Sequence, residues 1–335
     1  MRRGSQARTR STAHASLLAA SLACAPGCPA PDDNSGSGEG SSGTSPSDSS
    51  SETTLAPPTD TTAAIDGSSS GGGSTDGGPT MSGELTVLTY NVAGLPQGIS
   101  SSDPENNIPQ ISPLLNAFPL VLAQEDFWYH ALLTADLEHE FVSDPFPPDP
   151  AKMGMGDGLN RFSETPFTEV ERQQWYDCNG QLDCSSDCLA RKGWSFARHT
   201  LADGVEVDVY NLHMEAGGCP EDIEIRTQST LNLAAAIAER SDGRALVVAG
   251  DFNLRATDPE DVEPLANIIE GAGLTDVCDA LACGDQRIDH IMIRSGTSVT
   301  LEAMTWWIPE EFVDARTGEE LSDHLPVAAQ LSWTG

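Results

Sequence analysis

Basic residues are scarce in this chain: its 335 residues hold 17 Lys and Arg against 51 Asp and Glu, a formal net charge of −34. A protein that binds nucleic acid normally carries the opposite excess, because its affinity comes from neutralising phosphates; the balance counts against a polyanionic substrate without excluding one. Long apolar runs are also missing. The stretch around Leu17, Leu18, Ala19 and Ala20 is too short to span a bilayer as a helix, which argues against a permanent transmembrane anchor. No repeat of fixed period is present, so the chain is not a solenoid. Cys178, Cys184 and Cys188 lack the tight paired spacing of structural zinc sites, which weighs against zinc. From Pro29 to about Gly83 there is no apolar periodicity, only Ser, Gly, Thr, Pro and Asp in bulk, and such a segment reads as a disordered tether.

At the N-terminus, Arg2, Arg3, Arg8 and Arg10 precede the short apolar run, and small residues lead on to Cys24. That order is an export signal, expected over 1–23. Ser21-Leu22-Ala23-Cys24 resembles a bacterial lipobox, with Ser21 where that motif usually has leucine. The expectation is therefore a protein lipid-anchored at the cell envelope through Cys24 and held off it by a tether over 24–84; ordinary cleavage and secretion is the alternative. Six cysteines remain beyond Cys24 and Cys28, and an even set in an exported chain favours disulfides. Cys278 and Cys283 enclose a small loop and are expected to pair. Cys178, Cys184, Cys188 and Cys219 allow three pairings that the sequence leaves open.

Residues 85–335 read as one globular domain. It is acidic in its own right, with 13 Lys and Arg against 42 Asp and Glu, a difference of −29. Strands are expected at Leu85–Tyr90, Leu120–Ala123, Val205–Leu212, Ala245–Ala249, Ile288–Ile293 and Pro326–Leu331, and helices at Pro109–Phe118, Ile223–Arg240 and Val262–Ile269. Strands and helices alternate, as in a single α/β domain. The polar residues of interest, Asn91, Glu125, His213, Asp251, Asn253, Asp289 and His324, stand at or just beyond strand ends, where loops converge on a site.

The segments that hold them are LTYNVAGLP at 88–96, QEDF at 124–127, DGLNRFSETPF at 157–167, NLHMEAG at 211–217, GDFN at 250–253, RIDHI at 287–291 and SDHLPV at 322–327. In order and spacing they resemble the endonuclease/exonuclease/phosphatase superfamily over essentially all of 85–335. The resemblance implies a four-layer α/β-β/α sandwich, two packed mixed sheets flanked by helices, and cleavage of phosphate esters with Mg²⁺ or another hard divalent cation such as Mn²⁺ or Ca²⁺. It further implies Glu125 as principal metal ligand with Asn91 beside it and Asp323 near the metal. His324 takes the position of the water-activating base and Asp289 that of the carboxylate fixing its tautomer. His213 matches a second catalytic histidine, while Asp251 and Asn253 match groups that assist the leaving oxygen, bind metal or donate to a phosphoryl oxygen. His130, His139, His199 and His290 match no catalytic position and read as structural or exposed.

Three features lean toward the sphingomyelinase-like branch: Leu95-Pro96 after Asn91, a Lys192-Gly193 element in which Lys192 would meet the substrate phosphate, and Trp306-Trp307 before SDHLPV. Adjacent indoles in a loop can enter a lipid interface; the alternative is one ring in the core and one at the surface. The expected partner is a phosphodiester substrate, favoured as a phospholipid such as sphingomyelin or a small phosphodiester, with nucleic acid behind it and the protein a monomer. The runner-up is a deoxyribonuclease-like nuclease, for which Arg161, Arg172, Arg191, Lys192 and Arg198 offer a local basic cluster. A non-catalytic binding protein on the same scaffold is the third reading.

Overall fold

The computed structural model describes residues 80–335 apart from 98, 100, 101, 149, 151–154, 182, 183, 185, 191, 285 and 286. The expected export signal, Cys24, Arg191 and nearly all of the expected tether lie outside the described residues. In chain order the strands are β1 (Ser82–Asn91), β2 (Leu120–Gln124), β3 (Phe141–Val142), β4 (Asn160–Ser163), β5 (Phe167–Gln174), β6 (Gly193–Ala202), β7 (Val205–His213), β8 (Leu246–Asp251), β9 (Thr275–Asp276), β10 (Asp289–Arg294), β11 (Thr300–Trp307) and β12 (Val327–Thr334). The helices are α1 (Pro104–Leu114), α2 (His130–Leu133), α3 (Pro220–Arg240), α4 (Val262–Ala272) and α5 (Val277–Ala280).

The strands form two mixed sheets of six, in the orders β11-β12-β1-β2-β4-β3 and β5-β6-β7-β8-β10-β9. Side chains alternate across a strand, and the central strands are buried on both faces. Val87, Leu122, Val207, Val209, Val247, Ala249, Ile291, Val327 and Leu331 point between the sheets into a shared core. Their neighbours point outward. Leu88, Tyr90 and Val121 pack with Ile108 and Ile111 of α1, and Tyr210, Leu246, Val248 and Met292 pack with Leu233 and Ile237 of α3 and Leu265 and Ile268 of α4. A one-residue slip in any of these strands would exchange the two cores, so the register is strongly specified. The expected four-layer sandwich is the architecture observed.

Two helices start earlier than expected, each at a proline. α1 begins at Pro104, with Pro109 and Pro113 inside it, and α3 begins at Pro220, where Asp222 Oδ2 accepts the Cys219 backbone N–H at 2.8 Å. Proline at the first helical position lacks only a hydrogen that would have had no intrahelical partner. The strand β11 carries Trp306 and Trp307, which corrects the expectation of a loop. Successive side chains of a strand face opposite ways, so Trp306 packs against the inter-sheet core while Trp307 stacks on Phe118 with ring centroids 6.5 Å apart. Neither ring is free to enter a bilayer as an exposed pair.

Cys278 pairs with Cys283 as expected, and the open pairings resolve as Cys178–Cys188 and Cys184–Cys219. The Cys184–Cys219 bridge closes a separation of 35 residues and fastens the loop before β6 to the start of α3. Replacing both of these cysteines by serine should lower unfolding free energy by roughly 3–4 kcal/mol, the chain-entropy value for a loop of that length. Denaturant unfolding of the exported protein measures it, and an unchanged midpoint would mean that the bridge restrains nothing in the unfolded chain.

Candidate active site

Parallel neighbours end together, and this lines up the functional side chains. Pairing sets Asn91 at the end of β1 against Gln124 at the end of β2, and His213 at the end of β7 against Asp251 at the end of β8. Antiparallel β10 opens opposite with Asp289 facing Asp251. His324 lies in the turn leading to β12 and is tied down by its neighbour: Ser322 Oγ donates to the Asn91 carbonyl at 2.7 Å.

Asp251 is the hub. It is buried, and its Oδ2 accepts from Asn91 Nδ2 at 3.1 Å, lies 3.1 Å from His213 Nε2 and 3.6 Å from His324 Nε2. Its Oδ1 accepts the Asn253 backbone N–H at 3.0 Å. His324 Nδ1 donates to Asp289 Oδ2 at 2.9 Å. Thus Asn91, His213, Asp251, Asn253, Asp289 and His324, separated widely in sequence, form one connected cluster. Gly250 makes it fit: its φ is +151°, and a Cβ there would stand 2.0 Å from the Leu212 carbonyl oxygen. A side chain would force β8 away from β7 just before Asp251.

Burial alone would push the Asp251 carboxyl up, but the imidazoles of His324 and His213 outweigh it and hold the group well below the usual carboxylate range. Burial likewise opposes charging of the His324 ring. The carboxylates of Asp289 and Asp251 prevail, and its pKa is raised to about 10. The site is thus over-supplied with negative charge.

Glu125 follows β2 in a left-handed conformation, φ 56°. Its half-buried side chain shares a cleft of about 80 Å³ with Lys192 and Asp187. Lys192 is buried, and its Nζ lies 3.0 Å from Asp187 Oδ1; it is near enough to Asp251 to help hold that carboxylate ionised. Asp323 is exposed beside His324 and lines, with Asp289, Arg255 and Arg287, an opening of about 540 Å³. The donor chemistry suits a hard cation: the cluster offers carboxylate and amide oxygens, Asp289 Oδ1 is buried without a partner, and the described cysteines are in disulfides. Asp251, Asp289 and His324 place ligand atoms within 4.8 Å of one another.

Some side chains that matter here carried no signal in the sequence. Ser322 braces the His324 turn. Arg255 and Arg287 stand at the mouth of the opening, and Asp187 and Glu215 surround Lys192. Among the described residues, the basic cluster read from the sequence does not form a groove. Arg161 is buried and donates to the Val209 carbonyl and to Ser195, Arg172 pairs with Asp157 at 2.7 Å, and Arg198 pairs with Asp208 at 2.8 Å. These arginines satisfy interior acceptors. The remaining histidines are structural as expected: His130 meets Asp126, His139 donates to the Phe118 carbonyl, His199 is buried beside Arg161, and His290 meets Asp276.

No protein-family model matches the chain. The chain is similar to a sphingomyelinase of Mycobacterium tuberculosis, 35% identical over 268 residues that cover 74% of this chain and 52% of the relative. The chain therefore spans about half the length of the curated relatives it matches. Among solved structures, a beta toxin variant from Staphylococcus aureus with bound magnesium ions superposes with a TM-score of 0.54 at 14% identity, over 74% of this chain and 99% of the toxin. An endonuclease/exonuclease/phosphatase family protein from Bacteroides thetaiotaomicron gives 0.54 at 17% identity, over 75% and 96%. Both solved structures share the fold.

Beside Lys192, Glu215 is buried and its Oε1 accepts the Asn179 backbone N–H. Burial, with Asp187 nearby, raises its pKa from 4.5 to about 8. Folding therefore favours the protonated form, and that contribution is complete below the unfolded value and lost as pH rises through about 8. Thermal midpoints of the native protein should fall relative to Glu215→Gln between about pH 5 and about pH 9. A constant difference across that range would contradict the burial argument.

Proposed function

The chain belongs to the sphingomyelinase-like branch of the endonuclease/exonuclease/phosphatase superfamily, and on that footing we propose that it hydrolyses the phosphodiester bond of a phospholipid such as sphingomyelin with a divalent cation, magnesium foremost. The observation that carries this reading is the His324–Asp289 pair joined through the buried Asp251 to Asn91 and His213. In it, Asp289 accepts the Nδ1 hydrogen and leaves Nε2 of His324 as the nitrogen that takes a proton from the attacking water. Asp251 and His213 serve the leaving oxygen, and the Asn253 amide and Lys192 stabilise charge on the phosphoryl oxygens. Glu125, Asn91 and Asp323 would hold the cation. When bound, the cation supplies Lewis-acid stabilisation of phosphoryl charge and the positive charge that offsets the carboxylates around His324. Without such a countercharge the carboxylates of Asp289 and Asp251 favour the protonated His324 ring, which has no free nitrogen to act as base.

The acidity of the domain supports a zwitterionic headgroup over a polyanion, because phosphocholine carries no net charge to repel. Export fits the three disulfides. No helix among the described residues is long and apolar enough to cross a membrane, and we place the domain at the envelope by lipidation of Cys24 and a tether over 24–84.

Exhaustive chelation should abolish sphingomyelin hydrolysis and added Mg²⁺ should restore it. His324→Ala should lower kcat by about two to four orders of magnitude while the circular dichroism spectrum is unchanged. Turnover that survives chelation, or a fully active His324→Ala protein, would remove the mechanism. Cleavage of duplex DNA without lipid turnover would assign the site to the nuclease reading.

A further inference from the structure

α4 carries two apolar stripes. Leu265, Ile268 and Ala272 are buried against the second sheet. Val262, Ala266 and Ile269 follow one another at i, i+4 and i+7, so they form a second stripe on an adjacent face of the helix. That stripe meets the same core through Ile269. It lines an open groove of about 310 Å³, whose opposite wall is Ile291 and Met292 of β10 together with Trp306. Val262 at its lip is 55% exposed. An apolar channel of this size, left open beside a polar site, has the dimensions of a small-ligand pocket.

The groove adjoins the catalytic opening: Asp289 and Arg287 line both. Its polar lining carries an acidic excess, Glu270, Asp276, Asp279 and Asp289 against Arg287 and His290, which disfavours an anionic occupant such as a nucleotide or a fatty-acid carboxylate. Much of its remaining lining is apolar, with Ala256, Leu265 and Met292 among it. A ligand with its phosphodiester at His324 and an aliphatic chain attached through the leaving oxygen would lay that chain along α4. We infer that the groove binds one hydrocarbon chain of the substrate, so that the enzyme recognises the lipid tail as well as the headgroup. This rests on the phospholipid reading above and adds a specificity site to it. It also gives Trp306 a role: the indole is a wall of the chain-binding groove, held there by the inter-sheet core.

The test uses the full exported protein and single-chain alkyl phosphocholines of increasing length, titrated calorimetrically below their micelle-forming concentrations. The native protein should bind about fourfold tighter per added methylene until the groove is filled. Ala266→Phe, which fills the groove without touching the catalytic cluster, should flatten that dependence. It should also raise KM for sphingomyelin at least about tenfold, the size expected from a few lost methylene contacts, with hydrolysis of soluble bis(p-nitrophenyl) phosphate unchanged. If Ala266→Phe fails to fold, Val262→Glu at the exposed lip makes the same test. An equal chain-length dependence in native and variant proteins would overturn the groove while leaving lipid hydrolysis standing. A native protein that neither binds alkyl phosphocholines nor hydrolyses sphingomyelin would overturn both.

Discussion

The buried carboxylate of Asp251 is the interaction on which the rest of the structure turns. An isolated carboxylate removed from water costs many kcal/mol, and such a group survives in a fold only where partners compensate it. Here the partners come from four places: Asn91 on β1, His213 on β7, His324 in the turn before β12 and the backbone of Asn253 past β8. Two of these belong to the first sheet or its connections and two to the second. The carboxylate gains all four partners only when the sheets pack in their native register, so completion of the site goes with assembly of the sandwich. Gly250 completes the arrangement by letting β8 lie close against β7 at this level.

That concentration of acid has a second consequence. Asp289, Asp251 and Asp323 all act on His324, and an imidazole so surrounded is a poor base until positive charge is brought near it. The same carboxylates that position the base thus create the demand for a cation. Arg161, Arg172 and Arg198 do not meet that demand, because each is committed to acceptors within or between the sheets. The overall charge points the same way: a domain with an excess of 29 acidic residues over basic ones repels a polyanion and tolerates a zwitterion.

Much of the site was legible because its residues sit at strand ends marked by strong alternation. LTYN, NLH and GDFN each place a polar residue directly after a run of buried β-formers, and parallel pairing then brings the ends together. What was illegible lacked such punctuation. β4 buries Asn160 and Arg161 in its interior, so it shows no apolar run; the arginine is tolerated because Val209 and Ser195 accept its hydrogens. β5 is an edge strand with mostly exposed polar side chains, and nothing in its composition distinguishes it from a loop. Trp306 and Trp307 resemble an exposed aromatic pair until β11 is known to be a strand, which sends them to opposite faces. Asp187 and Glu215 come beside Lys192 only in the folded chain, so nothing in the sequence marks them.

Direct attack of water on phosphorus, with His324 as base, can be followed by the fate of the water oxygen. When sphingomyelin is hydrolysed in water enriched in the heavy oxygen isotope, mass spectrometry of the products should find one labelled oxygen in the phosphocholine and none in the ceramide. Label in the ceramide hydroxyl would place the bond cleavage on the carbon side and contradict a site built to stabilise charge on the phosphoryl group.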